Sequence, residues 1–476
     1  MRLLEGHNRE KKSTNLLSYA YLLTNFRGQS QAQRGAFLNI EPQVVRSKIW
    51  LIAWPLILSN ITQPLLGLVD TALLGHLPSQ AYIGACAVGA SILAFLFWGF
   101  GFLRMGTTSL VARATGRNQP VAGEKALFQN CLIALTLAIM LILLAPYVLV
   151  SAVNAMGASA IVTEHAISYT QIRLWAAPAT LLNYVFLGWF IGVQRTKLPL
   201  LVLLITNAAN IGLDLLFIVH WDFRSDGAAW ASLIGEYLGL TTSIYLYSRF
   251  RPKVQFAAIR REPGNWRSLF ALNQHLFFRT AALMAVFVFF TSQSAKFGDN
   301  VLAANAILLQ LVHLASYALD GLAHATETLA GHAAGKRKHH IQLWLLLREV
   351  ALISGATACC LSFCFWLFKG PLISLFSNIA SVQTEVNHYF IWCILVPMIS
   401  VAAYVLDGYC IGVGETKAMR DSLLASLILV FLPVWWLTIE FNNHGLWLAF
   451  CLFNLARGIS LGYLVIPTLR SQLRQT

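Results

Sequence analysis

Charged residues are scarce in this chain of 476 residues. Asp, Glu, Lys and Arg make up 11% of the sequence, whereas hydrophobic residues make up 57%. A soluble globular protein carries about 25% charged residues, so this chain lacks the polar surface that it would need in water. The composition excludes a typical soluble enzyme, a nucleic-acid-binding domain and a disordered scaffold. It predicts a membrane protein with most of its mass in the bilayer.

Motifs that carry common chemistry are also missing. None of the eight cysteines forms a Cys-x-x-Cys pair, and all fall in or beside apolar stretches, which is typical of small buried residues. Gly331-x-x-x-Gly335-Lys336 has the wrong spacing for an ATP-binding phosphate loop, and the sequence has no His-Glu-x-x-His motif. We therefore expect no metal, no organic cofactor and no catalytic residues, so an enzyme is not predicted.

The N-terminal segment lacks the apolar region and cleavage site of a secretory signal peptide. It is polar and basic, with Arg2, Arg9, Lys11 and Lys12 close to its start. We predict a disordered basic cytoplasmic tail over residues 1–45, and a regulatory arm is the alternative.

Long apolar stretches fill the rest of the chain. A transmembrane helix needs about 20 mostly apolar residues, and twelve such stretches alternate with short loops, which leaves no room for a large soluble domain. The predicted spans, numbered one to twelve, cover residues 48–71, 84–112, 126–150, 165–193, 199–220, 228–248, 268–292, 301–330, 344–368, 386–412, 422–439 and 445–468.

The basic residues test this count of spans. With the N-terminus inside, the inner segments hold 27 Lys and Arg when Lys48 and Arg348, near the inner ends of spans one and nine, are counted with them. The outer loops hold three, and the remaining four lie within spans. This asymmetry is what the positive-inside rule predicts for an even number of helices with both termini cytoplasmic. The net charge of +14 therefore reports topology and contact with anionic lipids rather than nucleic-acid binding.

The second half of the chain repeats motifs of the first half at a shift of about 220 residues. Gly188-Trp-Phe-Ile-Gly192-Val193 near the end of span four matches Gly408-Tyr-Cys-Ile-Gly412-Val413 near the end of span ten. The ends of spans two and eight, which close at Gly116 and Gly335, match in the same order. A duplication explains matches at equivalent places better than chance does.

This repeat predicts the architecture. Because six helices is an even number, both halves enter the membrane in the same direction, related by an axis along the membrane normal. We predict an all-α integral membrane fold with twelve transmembrane helices in two pseudo-symmetric bundles, at residues 46–250 and 268–476, joined by a cytoplasmic linker at 251–267. Two such bundles across a central cleft are typical of a transporter that works by alternating access.

Ionisable residues inside the membrane are functional candidates, because each costs about 3 kcal/mol or more at the bilayer centre. Asp70 lies in the outer half of span one. Asn207, Asn210 and Asp214 are spaced i, i+3 and i+7, which places them on one face of span five. An acid flanked by two amides suits a bound proton or Na⁺. An interhelical hydrogen-bond ladder is the alternative.

An ordered set of motifs in spans one, two and five supports a family resemblance. These are Trp54-Pro55 to Gln63-Pro64, Gly67-Leu-Val-Asp70-Thr71, Leu103-Arg104-Met105-Gly106 and Asn207-Ala-Ala-Asn210-Ile-Gly-Leu213-Asp214. With the paired glycine motifs of spans four and ten, the sequence resembles the multidrug and toxic compound extrusion (MATE) family, and more narrowly its DinF-like branch. The resemblance covers roughly residues 46–470.

The resemblance implies a V-shaped pair of bundles and export of organic, often cationic or amphipathic, compounds in exchange for protons or sodium. It also implies that Asp70, Asn183, Asn210 and Asp214 form the cation site of the first bundle. The sodium-coupled NorM-like branch has an acidic residue in span seven, whereas residues 268–292 here contain none, which favours protons.

Two prolines in span one are hinge candidates. Pro55 and Pro64 each remove a backbone hydrogen bond and weaken the helix locally. In the resembling family, bending of this helix is linked to protonation of its Asp. A static kink is the alternative.

Acidic residues in the second half form a candidate second site for protons or substrate. Asp320 and Glu327 lie two turns apart on one face of span eight, and Asp407 lies near the inner end of span ten. Because Arg104 and Arg279 lie at similar depth, an ion-paired network is the alternative.

The sequence therefore predicts a MATE-type antiporter in a bacterial cytoplasmic (inner) membrane, with small organic substrates and membrane lipids as partners, no nucleic acid, and a monomeric state. A lipid or lipid-linked oligosaccharide flippase of the same superfamily is the alternative. A membrane-embedded enzyme would need a converging nucleophile or metal set, which the sequence does not show.

Overall fold

The computed structural model describes residues 42–74, 81–262, 264–336 and 340–474. These residues are almost entirely helical and contain no β-strand. The predicted tail at residues 1–45 lies almost wholly outside this set, so its structure stays a prediction.

Helices occupy all twelve predicted spans. Their bounds, from span one to span twelve, are Pro42–Leu74, Ala81–Gly116, Pro120–Ala155, Ala160–Leu174 with Ala177–Gly192, Lys197–His220, Arg224–Phe250, Trp266–Lys296, Asp299–Gly335, His340–Leu367, Ala380–Val413, Thr416–Leu437 and Asn442–Arg474.

Apolarity alone recognises most of these spans. Among the described residues, ten helices are long and apolar enough to cross a membrane, and the bent pair of span four makes eleven. The helix Arg224–Phe250 occupies the remaining predicted span, and its 27 residues exceed the length that a crossing needs. It is less apolar than the others because Glu236 and the hydroxyl groups of Thr241, Thr242 and Ser243 lie within it.

Several spans depart from a straight helix. Span two turns at residues 99–101, where Gly99 and Gly101 have low helix propensity. Span four bends by 51° between Leu174 and Ala177. Pro178 stands in the first turn of the second helix of this span. Proline is tolerated there because the first residues of a helix need no N–H for its hydrogen bonds, and for the same reason it cannot extend the preceding helix. Span one is a continuous helix through Pro55 and Pro64, and only the backbone of Pro64 is described; the predicted hinge stays a prediction.

Segments outside the spans also contain helices. The predicted linker at residues 251–267 includes the short helix Phe256–Arg261, and a further short helix, Lys369–Phe376, precedes span ten.

Two spans contain a π-helical turn. One closes span five at Leu215–His220, and the other interrupts span eleven at Leu427–Phe431.

The repeated glycines let two spans approach closely in each half. A Cβ atom at Gly188 would lie 2.5 Å from the carbonyl oxygen of Arg104, and one at Gly408 would lie 2.3 Å from that of Ala323. Span four therefore packs on span two as span ten packs on span eight. The sequence repeat thus corresponds to a repeat of backbone packing.

Spans two and eight meet at their equivalent ends. A Cβ atom at Gly116 would lie 2.2 Å from the carbonyl oxygen of His332, and one at Gly335 would lie 2.4 Å from that of Arg113. His332 Nε2 also lies 2.9 Å from the carbonyl oxygen of Gly192. This contact joins the two halves of the chain where the basic inner segments begin.

Aromatic residues fill the core of the second half. Phe431 is fully buried and Trp435 is 7% exposed. Their rings pack on Phe289, with centroids 5.5 and 6.2 Å from that of Phe289. This part of span eleven is therefore apolar.

Gly408→Ala is expected to destabilise the protein by about 1–3 kcal/mol, the usual cost of overpacking. The methyl group would press on backbone, which cannot move aside without displacing span eight. Gly355→Ala in span nine is the matched control, since a Cβ atom there meets nothing within 4 Å. Thermal unfolding of both variants in the same detergent measures the difference. Equal Tm values would contradict the close packing.

Candidate proton or cation site

Spans one and five bring two carboxyl groups together. Asp70 is 7% exposed and Asp214 is fully buried, and their carboxyl groups are close neighbours. Two carboxylates that lie close together away from water repel each other, so a proton on one of the two groups stabilises the site. The arrangement is that of two carboxyl groups that cannot both ionise at close range without another cation.

Each carboxyl group has one oxygen without a hydrogen-bond donor. Oδ1 of Asp70 and Oδ1 of Asp214 are buried, and neither has a hydrogen-bond partner among the described residues. Removing the proton leaves two facing carboxylates in a site with little water. The pair is therefore suited to exchange a proton for a different positive charge.

Asn210 holds Asp214 in place. Its amide satisfies both neighbours when Nδ2 donates to Asp214 Oδ2 at 2.7 Å. Its Oδ1 atom then accepts from the hydroxyl and backbone N–H of Ser232, at 2.9 and 3.1 Å. The amide oxygen consequently faces span six rather than the acid pair.

The other two predicted amides bond elsewhere. Asn183 Nδ2 donates to the carbonyl oxygen of Glu236 at 3.3 Å, and its Oδ1 accepts from Ser243 at 3.0 Å. Asn207 Nδ2 donates to the carbonyl oxygen of Thr62 at 3.5 Å. The structure thus gathers Asp70, Asn210 and Asp214, whereas the hydrogen bonds of Asn183 and Asn207 connect neighbouring spans.

Arg173 is a site residue that the sequence analysis did not identify. It lies at the end of the first helix of span four, and its Nε and Nη1 atoms are buried without a hydrogen-bond partner among the described residues. Cys86 and Tyr169 also lie beside this group, as neutral neighbours of Asp70. The signal was available, because an arginine within a span is a functional candidate by default.

The acids of the second half are paired with arginines. Asp407 Oδ2 accepts from Arg279 at 2.5 Å and from Arg457 at 2.8 Å, and all three residues are buried. This geometry supports the ion-paired alternative for Asp407. It leaves no charge free for a proton or a substrate at that residue.

Glu327 and Asp320 differ from Asp407. Glu327 is fully buried, 3.4 Å from Arg104 and 3.6 Å from His324. Because Arg104 belongs to span two, this pair connects the halves of the chain. Asp320 is half-buried, has no ion pair within the described ranges, and interacts at longer range with His324, Arg104 and Arg279. Asp320 is therefore the strongest remaining candidate for the predicted second site, which stays a prediction.

Comparisons with known proteins agree with this architecture. The MatE family model matches the chain twice, over residues 55–216 and 276–437, at the displacement that the repeated glycines predict. The chain is 37% identical over 422 residues to DNA damage-inducible protein F of Escherichia coli K12, covering 87% of this chain and 90% of that protein. It is 24% identical over 431 residues to a probable multidrug resistance protein NorM of Mannheimia succiniciproducens, covering 86% and 91%.

A solved structure shows the same fold. A MATE protein crystallised in the bent conformation superposes on this chain with a TM-score of 0.81 at 17% identity, covering 92% of this chain and 99% of that one.

The chain belongs to the MatE family, the multidrug and toxic compound extrusion proteins, whose members are transporters rather than enzymes. The predicted fold, with two pseudo-symmetric bundles, and the narrower DinF resemblance are both confirmed.

Proposed function

We propose that this protein exports organic cations or cationic amphipathic compounds in exchange for protons, with Asp70 and Asp214 as the coupling groups. The burial of these two neighbouring carboxyl groups, each with one unpartnered oxygen, carries the proposal. A proton on one of them relieves their mutual repulsion, so the charge and the packing of the site change when that proton leaves. The multidrug name of the NorM relative supports the substrate class.

The amide orientations favour a proton over sodium. Sodium needs several oxygen ligands, but Oδ1 of Asn210 is engaged by Ser232 and Oδ1 of Asn183 by Ser243. The carboxyl groups would have to supply most of the coordination alone. A proton needs only one carboxyl oxygen.

The exchange follows from charge. A cationic substrate entering from the cytoplasmic side stabilises the doubly ionised pair, and a proton arriving from outside replaces it. Ionising both groups changes the charge of a poorly hydrated site, which is enough to bias two conformations that differ by a few kcal/mol. The substrate and the proton then favour opposite conformations, and this preference couples their movements.

We place the protein in the bacterial cytoplasmic membrane with both termini cytoplasmic, on the strength of the basic-residue asymmetry and the Escherichia coli relative. The bundles at 46–250 and 268–476 and the linker at 251–267 are retained as proposed boundaries. The protein works as a monomer with no cofactor other than its coupling ion.

Transport into proteoliposomes tests the coupling ion. The full chain is reconstituted, and movement of the fluorescent cation ethidium is followed under a pH gradient or a Na⁺ gradient. We expect the pH gradient alone to drive transport. Transport driven only by Na⁺ would overturn proton coupling, and no ethidium movement under either gradient would favour the flippase alternative, to be tested with lipid-linked substrates.

A further inference from the structure

The inner ends of spans two and eight each carry a side chain that contacts the opposite half of the chain. Arg113 and His332 occupy the same position of the repeated motif, three residues before Gly116 and Gly335. His332 belongs to the second half, but its Nε2 atom lies 2.9 Å from the carbonyl oxygen of Gly192 at the end of span four. An imidazole of the second half therefore caps a helix end of the first half.

Arg113 makes the equivalent contact in the opposite direction. A Cβ atom at Gly414 would lie 2.5 Å from Nη1 of Arg113 and 2.8 Å from its Cζ. The guanidinium therefore lies directly on the residue that caps span ten. Nε of Arg113 donates to the carbonyl oxygen of Ser109 at 3.1 Å, which holds the side chain in this position. Glycine at position 414 leaves the space that the guanidinium occupies.

The two helix ends that receive these side chains have the same backbone conformation. Gln194 and Gly414 stand just after spans four and ten, and both lie in the left-handed region, with φ of 62° and 91°. In each case the next residue donates its N–H to the carbonyl oxygen five residues earlier, at 2.9 and 2.8 Å. The last carbonyl groups of a helix lack intrahelical donors and carry partial negative charge, so a cation or an N–H group stabilises them.

The surface between the halves is closed around these contacts. Thr328, one turn before His332, is fully buried, and its Oγ1 donates to the carbonyl oxygen of Ile191 at 3.2 Å. Ala112, directly before Arg113, is also fully buried, and a Cβ atom at Gly331 would lie 2.6 Å from the Cβ of Ala112. A path between the halves from the inner side therefore requires these contacts to separate.

We infer that Arg113 and His332 form a reciprocal lock that holds the inner side closed in this conformation, each by capping a helix end of the opposite half. Span two is joined to span ten and span eight to span four, so parting the halves at the inner side breaks both contacts. A substrate that enters from the inner side is admitted only when the lock opens. The lock goes beyond the proposed coupling reaction, because it controls access and does not depend on the ion that drives export.

Labelling of a buried reporter cysteine tests the lock. Thr328→Cys is close in size to the native residue, and its reaction with a charged maleimide is followed in lipid nanodiscs. Peptide mass spectrometry reads the product at residue 328, so the native cysteines do not interfere. In this background we expect Arg113→Ala or His332→Ala to raise the labelling rate about fivefold or more. That ratio is the usual effect of losing one favourable contact at a helix end on the population of the open state.

Two matched variants separate the lock from a general loss of packing. Arg117→Ala removes an exposed arginine from the same end of span two and is expected to leave the labelling rate unchanged. His332→Gln retains an N–H donor and is expected to label at the rate of the Thr328→Cys background. Gel filtration establishes that each variant is folded. Unchanged labelling in folded Arg113→Ala and His332→Ala proteins would overturn the lock.

The reporter background gives a second test that leaves both lock residues in place. Thr115→Cys, at an exposed position near the end of span two, supplies the labelling rate of an open thiol. We expect Thr328→Cys to react about tenfold or more slowly, since a minor open state limits its reaction. Equal rates would show that the inner side is not held closed and would also overturn the lock. None of these measurements involves transport, so a failure of proton coupling would leave their outcome unaffected.

Discussion

Asp70→Asn is expected to abolish export driven by a pH gradient while leaving a folded protein. Asn has nearly the shape of Asp and can donate a hydrogen bond to Asp214, so the contact between spans one and five survives. The variant imitates the protonated state permanently, because its amide cannot release a proton. We expect proton-driven ethidium flux to fall by about 100-fold or more, since coupling requires a group whose charge changes during the cycle.

Glu164→Gln is the matched control for this substitution. Glu164 lies in the first helix of span four, as Arg173 does, but its side chain is exposed. The same change from acid to amide there is expected to leave transport unchanged. Substantial ΔpH-driven flux through Asp70→Asn would exclude Asp70 from coupling and would make Asp320 the next candidate for the coupling group.

Asp407→Asn is expected to have the largest effect on stability. It removes the only negative charge that directly pairs two buried arginines within the described residues, Arg279 and Arg457. Removing one partner of a buried pair costs about 3–5 kcal/mol, because the remaining charge is left uncompensated. Unfolding in mixed micelles, titrated with SDS, measures the loss of free energy.

Asp421→Asn provides the comparison for Asp407. Asp421 pairs with Arg420 at 2.6 Å, but its side chain is 47% exposed. Loss of an exposed pair costs about 0–1 kcal/mol. If the two variants unfold at the same SDS fraction, the buried network does not stabilise the second half, and Asp407 regains its candidacy as a binding residue.

The fold could be predicted from the sequence because a bilayer imposes simple demands. Each crossing needs a long apolar stretch, and the short loops on the cytoplasmic side carry an excess of Lys and Arg. The glycine motifs at Gly188 and Gly408 then revealed the duplication. The bend after Leu174 was harder to predict from the sequence. Pro178 indicates the start of a helix only when the preceding helix is already known to end at Leu174.

The site was predictable only as a set of residue types. Spacing along span five correctly placed Asn210 and Asp214 on one face, and membrane depth singled out Asp70. Spacing could not show that Asn183 bonds to span six, because that contact depends on how separate spans pack. The sequence likewise could not decide whether Asp407 belongs to a second site or to an ion pair. The structure shows that Arg457, fifty residues away, donates a hydrogen bond to it.

The aromatic core of span eleven has a consequence for how the two repeats have diverged. At displacements of 219 to 221 residues, given by the repeated glycines and the family-model matches, Asn210 and Asp214 correspond to positions in the apolar segment 429–435, and Asp70 corresponds to a position at 289–291. Neither segment contains an acid or an amide, so the two copies share a backbone arrangement but not the titratable pair. Under the proposed mechanism, energy conversion is inherited through one copy alone. Substitutions in the other copy can reshape the substrate path during evolution without changing the ion that drives export.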